Sequence, residues 1–360
     1  MSSEATGAIA VPPRGVGAPA FVKALIFEAR EDWPVFAIVA AYSVIAWLLC
    51  LTLGRLDAFK PLLYMPLSFG SMGTATGLYM VVMELPHAVL ARPSSPLSAL
   101  CARLKQRAHP RFLVSLALFA AACLFAGVFT CVKSLLNGLV PFRADLALAR
   151  ADAVLFFGAD PWRLLQPLLD NRLAVRALQT FYVTGWLLAL VGFLTAVSFS
   201  SRLRPLRLRF FTTYFASWII LGNVLAAAFM SAGPAFFAAL TGDQHRYGGL
   251  FRALAFSQDM PNSSVMMQQA LWDKYVTHHV DVGAGISAFP SLHVAMATLF
   301  ALTAFKLSKP LGFVAALFAS VIFIGSIALG WHYAVDGLVS AAFVLIVWFG
   351  MGRLIHKPAA

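Results

Sequence analysis

Residues 310–352 read PLGFVAALFASVIFIGSIALGWHYAVDGLVSAAFVLIVWFGMG, an almost unbroken apolar run. As a single helix rising about 1.5 Å per residue, this run would be roughly 65 Å long. That length is about twice the hydrocarbon core of a bilayer, so the run must fold back on itself. Gly330 lies near its middle and is the predicted corner between two membrane-spanning helices.

The rest of the chain is apolar enough to form further membrane-spanning helices. Its residues are 60% hydrophobic and 12% charged, whereas soluble domains carry roughly 25% charged residues. Apolar runs long enough to cross a bilayer recur along the chain. We therefore predict an all-α, polytopic membrane helix bundle with about eight transmembrane helices, at 35–54, 61–85, 112–132, 178–200, 210–232, 289–307, 310–330 and 332–352.

Basic residues cluster in short loops and give the chain a net charge of +12. The loops 86–111 and 201–209 contain arginine or lysine and no acid, and further basic residues flank 306–309 and follow 352. With eight spans, all these places lie on one side, which the positive-inside rule makes cytoplasmic. Both chain ends are then cytoplasmic. No motif of a nucleic-acid module accompanies the charge, so no nucleic-acid partner is predicted.

The cysteines and the N-terminal segment carry little functional information. The four cysteines include no CxxC pair, so they indicate neither a disulfide framework nor a zinc site; they are Cys50, Cys101, Cys123 and Cys131. Residues 1–33 lack the order of a cleavable signal peptide and are predicted to be a disordered cytoplasmic tail.

Two histidines and a carboxylate stand where the sequence is otherwise compatible with lipid. His293 begins the sixth predicted span, and His332 and Asp336 begin the eighth. Polar groups at membrane depth are costly, so they are functional candidates. Counting spans places all three at the extracytoplasmic face.

The spacing of these residues suits phosphoryl transfer. His332 and Asp336 are four apart, which puts them on one face of a helix, where the carboxylate can fix the imidazole tautomer. His293 follows Pro290 and Ser291, and proline favours the first position of a helix, whose free N–H groups bind anions. Two alternatives remain open: the groups are polar packing residues, or they hold a metal, although no further ligand at metal spacing is present.

Two loops on the extracytoplasmic side have distinctive compositions. Residues 142–157 mix charged and apolar residues in a manner typical of an interfacial helix. The segment 235–288 either covers the site or binds the polar head of a substrate.

The same motifs resemble a known family. Ala288-Phe289-Pro290-Ser291-Leu292-His293 and Gly330-Trp331-His332-Tyr333-Ala334-Val335-Asp336 are similar to two signature motifs of the type 2 phosphatidic acid phosphatase superfamily. The forms Pro-Ser-Leu-His and Gly-Trp-His-Tyr are most similar to its inositolphosphotransferase branch, which includes fungal inositol phosphorylceramide synthase. The stretches at 231–234 and 141–145 and Lys133 are also similar to that branch.

The resemblance implies a division of the chain and a set of residue roles. A catalytic membrane domain with a six-helix core would occupy 112–352, preceded by two additional helices and a basic loop at 34–111 and followed by a cytoplasmic tail at 353–360. His332 would be the nucleophile, Asp336 its orienting partner and His293 the general acid. Ser291 and the amides beside it would bind phosphate. The predicted substrate-binding residues are Ser291, Pro290, Lys133, Arg143, Ser231 and Gly233.

The sequence departs from the family pattern in its phosphate-binding cations. The family has an arginine six residues before the nucleophilic histidine, where this chain has Ser326, and the Lys-x6-Arg-Pro motif is not found. Lys133 and Arg143 are the candidate replacements, although both also suit ordinary snorkelling at a membrane interface.

These observations predict a metal-independent enzyme without a cofactor in the plasma membrane. It would pass a phosphoryl or phospho-headgroup from a phospholipid donor to a lipid hydroxyl, through a phosphohistidine. A lipid or polyprenyl phosphate phosphatase, with water as acceptor, would use the same residues. A non-enzymatic lipid transporter or binding protein is the second alternative. No obligate protein partner is inferred.

Overall fold

The computed structural model describes residues 18–79 and 110–355, and its regular structure in these ranges is helical, without a β-strand. The all-α prediction is therefore confirmed. Single-turn helices occur at Leu56–Ala58, Pro161–Leu164, Gln166–Leu169, Pro234–Phe236 and Ala255–Ser257. The longer helices are α1 (Ala18–Ala29), α2 (Trp33–Thr52), α3 (Met65–Tyr79), α4 (Pro110–Leu139), α5 (Asp145–Leu155), α6 (Arg172–Phe199), α7 (Arg204–Ala228), α8 (Phe237–Thr241), α9 (Gly248–Leu254), α10 (Ser264–Val276), α11 (Leu292–Leu307), α12 (Lys309–Ala328) and α13 (Ala334–Ile355).

Six of the described helices are long and apolar enough to cross a membrane: α2, α4, α6, α7, α12 and α13. The protein is thus an integral membrane protein. Helix α11 is apolar but has 16 residues, and α3 occupies part of the predicted span at 61–85. Every predicted span therefore coincides with a helix over the residues that the structure describes, and α11 is shorter than a full crossing.

Gly330 forms the predicted corner between the last two helices. Its backbone φ is +73°, a left-handed conformation that glycine adopts without steric cost. A Cβ at this position would lie 2.7 Å from Cζ of Phe251. Both the conformation and the close packing require a glycine here.

Helix α11 lies at the centre of the bundle, where it packs against α6, α7, α12 and α13. Helices α1 and α2 pack against α4 on the outside of this group. Aromatic side chains fill the space between α2, α4 and α7, with Phe125 in ring contact with Tyr42, Tyr214 and Phe215. This packing joins the N-terminal helices to the rest of the bundle.

A buried ion pair also joins these helices, at the end of the bundle where α7 begins. Arg207 Nη1 lies 3.2 Å from Asp32 Oδ2, and its Nη2 donates to Ser115 Oγ at 2.9 Å. Arg204 pairs with Glu28 of α1 at 2.9 Å. These two ion pairs therefore join the start of α7 to the chain before α2, and a hydrogen bond joins it to α4.

Some predicted boundaries differ from the observed helices. Helix α4 continues to Leu139 because leucines at 135, 136 and 139 extend its apolar character past the predicted end at 132. Helix α6 begins at Arg172, six residues before the predicted span, as an amphipathic extension. Part of the segment predicted as a disordered tail is helical, because α1 occupies Ala18–Ala29.

Several predictions concern residues outside the described ranges. They are the tail up to residue 17, the end of the second span, the basic loop up to residue 109, Cys101 and the residues after 355.

Candidate active site

His332 lies in the turn between α12 and α13, and its ring is held by two acceptors. Its Nδ1 is 2.7 Å from the carbonyl oxygen of Ala288 and 3.2 Å from Oδ2 of Asp336. A carbonyl oxygen can only accept a hydrogen bond, so Nδ1 carries the hydrogen. The lone pair is consequently on Nε2. This tautomer leaves one ring nitrogen free to act as a nucleophile or a base.

The predicted relation between His332 and Asp336 along one helix face is wrong in its geometry. Helix α13 begins at Ala334, so His332 precedes the helix and Asp336 belongs to its first turn. Asp336 Oδ2 also accepts a hydrogen bond from the backbone N–H of Tyr333 at 3.0 Å. A first-turn carboxylate that reaches back to the chain before the helix is half of a capping box. The two side chains therefore meet across a helix N-terminus.

The backbone of Ser326 holds the His332 turn from the other side. Its carbonyl oxygen accepts hydrogen bonds from the N–H groups of Trp331 and His332, each at 3.0 Å. Its hydroxyl is buried and donates to the carbonyl of Phe323 at 2.7 Å. The position where the resembled motif has an arginine thus has a structural role in this chain.

His293 is the second residue of α11 and faces His332 across a short gap. The two ring centroids are 6.4 Å apart. Ser291 is the N-cap of α11, with Oγ 3.5 Å from the N–H of Val294, so Pro290 precedes the cap and is not at the first helical position as predicted. The N–H of Ser291 donates to the carbonyl of Asp336 at 3.3 Å. The beginnings of α11 and α13 are therefore joined directly.

Asp145 at the start of α5 organises the segment that contains Ser231 and Gly233. Its Oδ1 accepts hydrogen bonds from the Ser231 hydroxyl and the Gly233 N–H, both at 2.8 Å. The Tyr333 hydroxyl donates to the same oxygen at 3.0 Å. The polar groups of Ser231 and Gly233 are thus bound to a carboxylate, and the segment supports the His332 turn through Tyr333.

Asp152, two turns along α5, holds the N-terminus of α13. Its two carboxylate oxygens accept hydrogen bonds from the N–H groups of Ala334 at 2.8 Å and Val335 at 2.9 Å. Burial raises the pKa of Asp152 to about 6, which outweighs the opposite effect of these two hydrogen bonds. This role is not apparent from the sequence. The available signal is the spacing of seven between Asp145 and Asp152, which puts both acids on one helix face.

Helix α5 presents its acids to the protein and its apolar side chains outward. Asp145 and Asp152 are buried, whereas Leu146 and Val154 are exposed and Phe157, just beyond the helix, is 100% exposed. This distribution agrees with the predicted interfacial helix, in which apolar side chains contact lipid.

The two predicted phosphate-binding cations have different surroundings. Lys133 lies within α4 against Gly285, where a Cβ would come within 2.9 Å of Lys133 Cγ, and its charge acts on the His293 ring. No hydrogen bond or ion pair holds its ammonium among the described residues. Arg143 has an exposed side chain, and its backbone N–H donates to Met230 O at 3.0 Å. Only Lys133 has a described interaction with one of the two histidines.

The segment 235–288 packs over the His332 turn. Gln268 Nε2 donates to the carbonyl of Leu329 at 3.0 Å, and Phe251 contacts the position of Gly330. The segment therefore covers this side of the candidate site. Within residues 18–79 and 110–355, no group of three or more His, Cys, Asp or Glu side chains is arranged to hold a metal ion.

The arrangement combines a histidine with a fixed tautomer, a second histidine across a short gap and a nearby lysine. A family model described as the PAP2 superfamily matches residues 146–349. The chain belongs to the PAP2 superfamily. Its members are typically phosphatases or phosphotransferases. The match includes Asp152, His293, His332 and Asp336 and begins after Lys133. No curated protein and no solved structure matches the chain, and the inositolphosphotransferase branch stays a prediction.

Proposed function

We propose that this PAP2 superfamily protein is a lipid phosphotransferase that works through a phosphohistidine intermediate. The observation that carries the proposal is the pair of acceptors on His332 Nδ1, the carbonyl of Ala288 at 2.7 Å and Asp336 Oδ2 at 3.2 Å. The two acceptors fix the orientation of the ring, so that the Nε2 lone pair points away from them. A nucleophile oriented by an acceptor on its other nitrogen is the recurring arrangement in covalent catalysis by histidine.

In the first step, His332 Nε2 attacks the phosphorus of the donor and the bond to the leaving oxygen breaks. His293 donates a proton to that oxygen, and Asp336 stabilises the charge on the phosphorylated imidazole. In the second step, the hydroxyl of the acceptor attacks phosphorus, His293 takes the hydroxyl proton, and the bond to His332 breaks. General acid–base assistance of this kind contributes about 10²–10⁴-fold.

The separation of the two histidines supports this sequence of steps. Their ring centroids are 6.4 Å apart. A nucleophile and an acid that each approach their reacting atom to about 3–3.5 Å can both reach one phosphoryl group across such a gap. Lys133 would balance the charge of the phosphate, as in other sites where fixed cations stabilise a transferring phosphoryl group. Ser291 and the first amides of α11 would contribute hydrogen bonds.

We place the site at the extracytoplasmic face of the plasma membrane, with both chain ends in the cytoplasm. Support comes from the arginines at 204, 207 and 209, which begin α7 at the end opposite to the histidines. In a cysteine-free background, an impermeant maleimide applied to intact cells should label Gln244→Cys, in the 235–288 segment, and leave Ser201→Cys unlabelled. Both positions are exposed. Labelling of Ser201→Cys alone would reverse the orientation.

The decisive experiment measures transfer from a labelled phospholipid, with and without a ceramide or diacylglycerol acceptor. We expect labelled product lipid that depends on the acceptor, and a covalent phosphate on His332 when the acceptor is omitted. His332→Ala should abolish turnover, whereas His245→Ala, in an exposed loop, should retain it. Phosphate release that is equal with and without acceptor would contradict transfer and favour a phosphatase.

Two further outcomes separate the remaining alternatives. A transporter or lipid-binding protein predicts that His332→Ala weakens lipid binding and that no turnover is found in any variant. A metal-dependent enzyme predicts that a chelator abolishes turnover and that a divalent cation restores it. We expect turnover of the purified protein to be insensitive to chelator.

A further inference from the structure

Helix α6 contains a π-helical segment at Phe181–Gly185, between α-helical parts at Arg172–Thr180 and Trp186–Phe199. A π-helix has i→i+5 hydrogen bonds and is rare. Where it interrupts an α-helix, it is frequently found at a functional site. In this chain the interruption occurs where α6 passes the first turn of α11.

Tyr182 and Trp186, here called the aromatic pair, lie against the ring of His293. The centroid of the Tyr182 ring is 4.8 Å from that of His293, with an angle of 10° between the ring planes. The Trp186 ring is 4.1 Å away and tilted by 34°. Trp186 Nε1 also donates a hydrogen bond to the backbone carbonyl of His293 at 3.2 Å. Both the side chain and the backbone of His293 are thus contacted by the aromatic pair.

We propose that the aromatic pair positions the His293 imidazole for proton transfer to the leaving oxygen. Tyr182 and Trp186 are then positioning residues of the general acid, since they act on the substrate only through His293. This inference rests on the proposed function, in which His293 is the general acid.

The contacts account for such a role by geometry. A stacked ring covers the face of the imidazole and leaves its edge, which carries both nitrogens, uncovered by that ring. The hydrogen bond from Trp186 Nε1 also fixes the backbone of His293. A proton donor must come within about 2.6–3.2 Å of its acceptor. A displacement of about 1 Å costs roughly 10²-fold in rate.

The test compares two donors that carry the same phospho-headgroup on different leaving groups. One releases a lipid alkoxide, which needs a proton, and the other releases p-nitrophenolate, which leaves without one. For Tyr182→Leu and Trp186→Leu we expect release of the lipid alcohol in a single turnover to be about 10–100-fold slower. Release of p-nitrophenolate and the affinity for both donors should change less than about threefold. Tyr182→Phe and Trp186→Phe, which keep a stacked ring, should restore most of the rate.

Phe193→Leu is the matched control variant. Phe193 and Phe300 stack at 4.5 Å and 8° between the same two helices, away from His293. This variant should not distinguish the two donors. Folding of every variant is checked by elution of the monodisperse protein in detergent.

The outcomes separate this inference from the proposed function. If His293→Gln slows the release of both leaving groups equally, the assignment of His293 as general acid is wrong. The inference about the aromatic pair is then wrong as well. If His293→Gln distinguishes the donors but Tyr182→Leu and Trp186→Leu slow both equally, the proposed function stands and the aromatic pair has only a packing role.

Discussion

Replacement of Asp152 by asparagine is expected to separate the stability of this protein from its activity. Asp152 accepts one hydrogen bond on each carboxylate oxygen, from Ala334 N–H at 2.8 Å and Val335 N–H at 2.9 Å. Asparagine has the same shape but one acceptor oxygen, so one of the two N–H groups would face an amide NH₂. The N-terminus of α13 must then shift, and His332 immediately precedes it.

The effect on stability follows from two opposing terms. The pKa of Asp152 rises from 3.8 to about 6 because the carboxylate is buried. This rise makes its charge unfavourable by roughly 3 kcal/mol at neutral pH, at 1.36 kcal/mol per pKa unit. Asparagine removes that charge and loses one hydrogen bond at a buried donor, which costs about 1–3 kcal/mol. The terms nearly cancel, so the free energy of unfolding should change by less than about 2 kcal/mol at pH 7.5.

The sign of the pH dependence is also determined. Because the folded-state pKa is raised, the unfolded protein releases the Asp152 proton first, and the wild-type protein loses stability between pH 4 and pH 6. Asp152→Asn has no such loss. Its stability relative to the wild-type protein should therefore be greater at pH 7.5 than at pH 4.

The assay compares denaturant unfolding in detergent at both pH values with turnover at pH 7.5. We expect Asp152→Asn to turn over roughly 10²-fold more slowly, as for a displacement of about 1 Å at the reacting group. Asp170→Asn, at an exposed carboxylate, should match the wild-type protein in both measurements. Full turnover of Asp152→Asn would show that the Asp152 hydrogen bonds do not position His332. A loss of stability above about 3 kcal/mol would show that burial of the Asp152 charge does not offset them.

Two further predictions test the packing. Gly233→Ala should abolish turnover, because φ is +87° and the new Cβ would lie 2.7 Å from Trp331 O. The control variant Gly242→Ala, at φ +79° in open space, should lose only about 1–2 kcal/mol of stability. Equal effects in both variants would contradict the close approach at Gly233. The Cys50 and Cys131 sulfur atoms are 3.2 Å apart, so aerobic oxidation with copper phenanthroline should form one intramolecular disulfide. Mass spectrometry should find Cys123 reduced, and a Cys50→Ser protein should form none.

The sequence predicts the helices of this protein well because the bilayer imposes their length. The apolar run at 310–352 is too long for one crossing, and glycine at 330 marks its corner, so two helices and a turn follow without tertiary information. The pairing of His332 with Asp336 is likewise predictable, since they are four positions apart in the sequence. Their exact relation is not, because the start of α13 depends on a cap that no local pattern indicates.

The supporting residues show the limit of sequence reasoning. The sequence predicts that Asp145 and Asp152 form the charged side of an interfacial helix. In the structure, their partners include backbone groups about 90 and 180 residues further along the chain. Such contacts depend on the folded bundle. The spacing of seven on a short helix indicates that both acids lie on one face. It does not identify the N–H groups of Gly233 or Ala334 as their partners.

The ion pair between Arg207 and Asp32 determines how the protein can be divided. Arg207 lies within the 146–349 segment that matches the PAP2 superfamily, whereas Asp32 lies far outside it. An excised 146–349 segment would keep a buried guanidinium without its counter-ion, a defect that typically costs about 3–5 kcal/mol. Designs that graft or shorten this protein should therefore carry the chain from α1 onwards. A chimaera needs an acid at the position of Asp32, whichever parent supplies that segment.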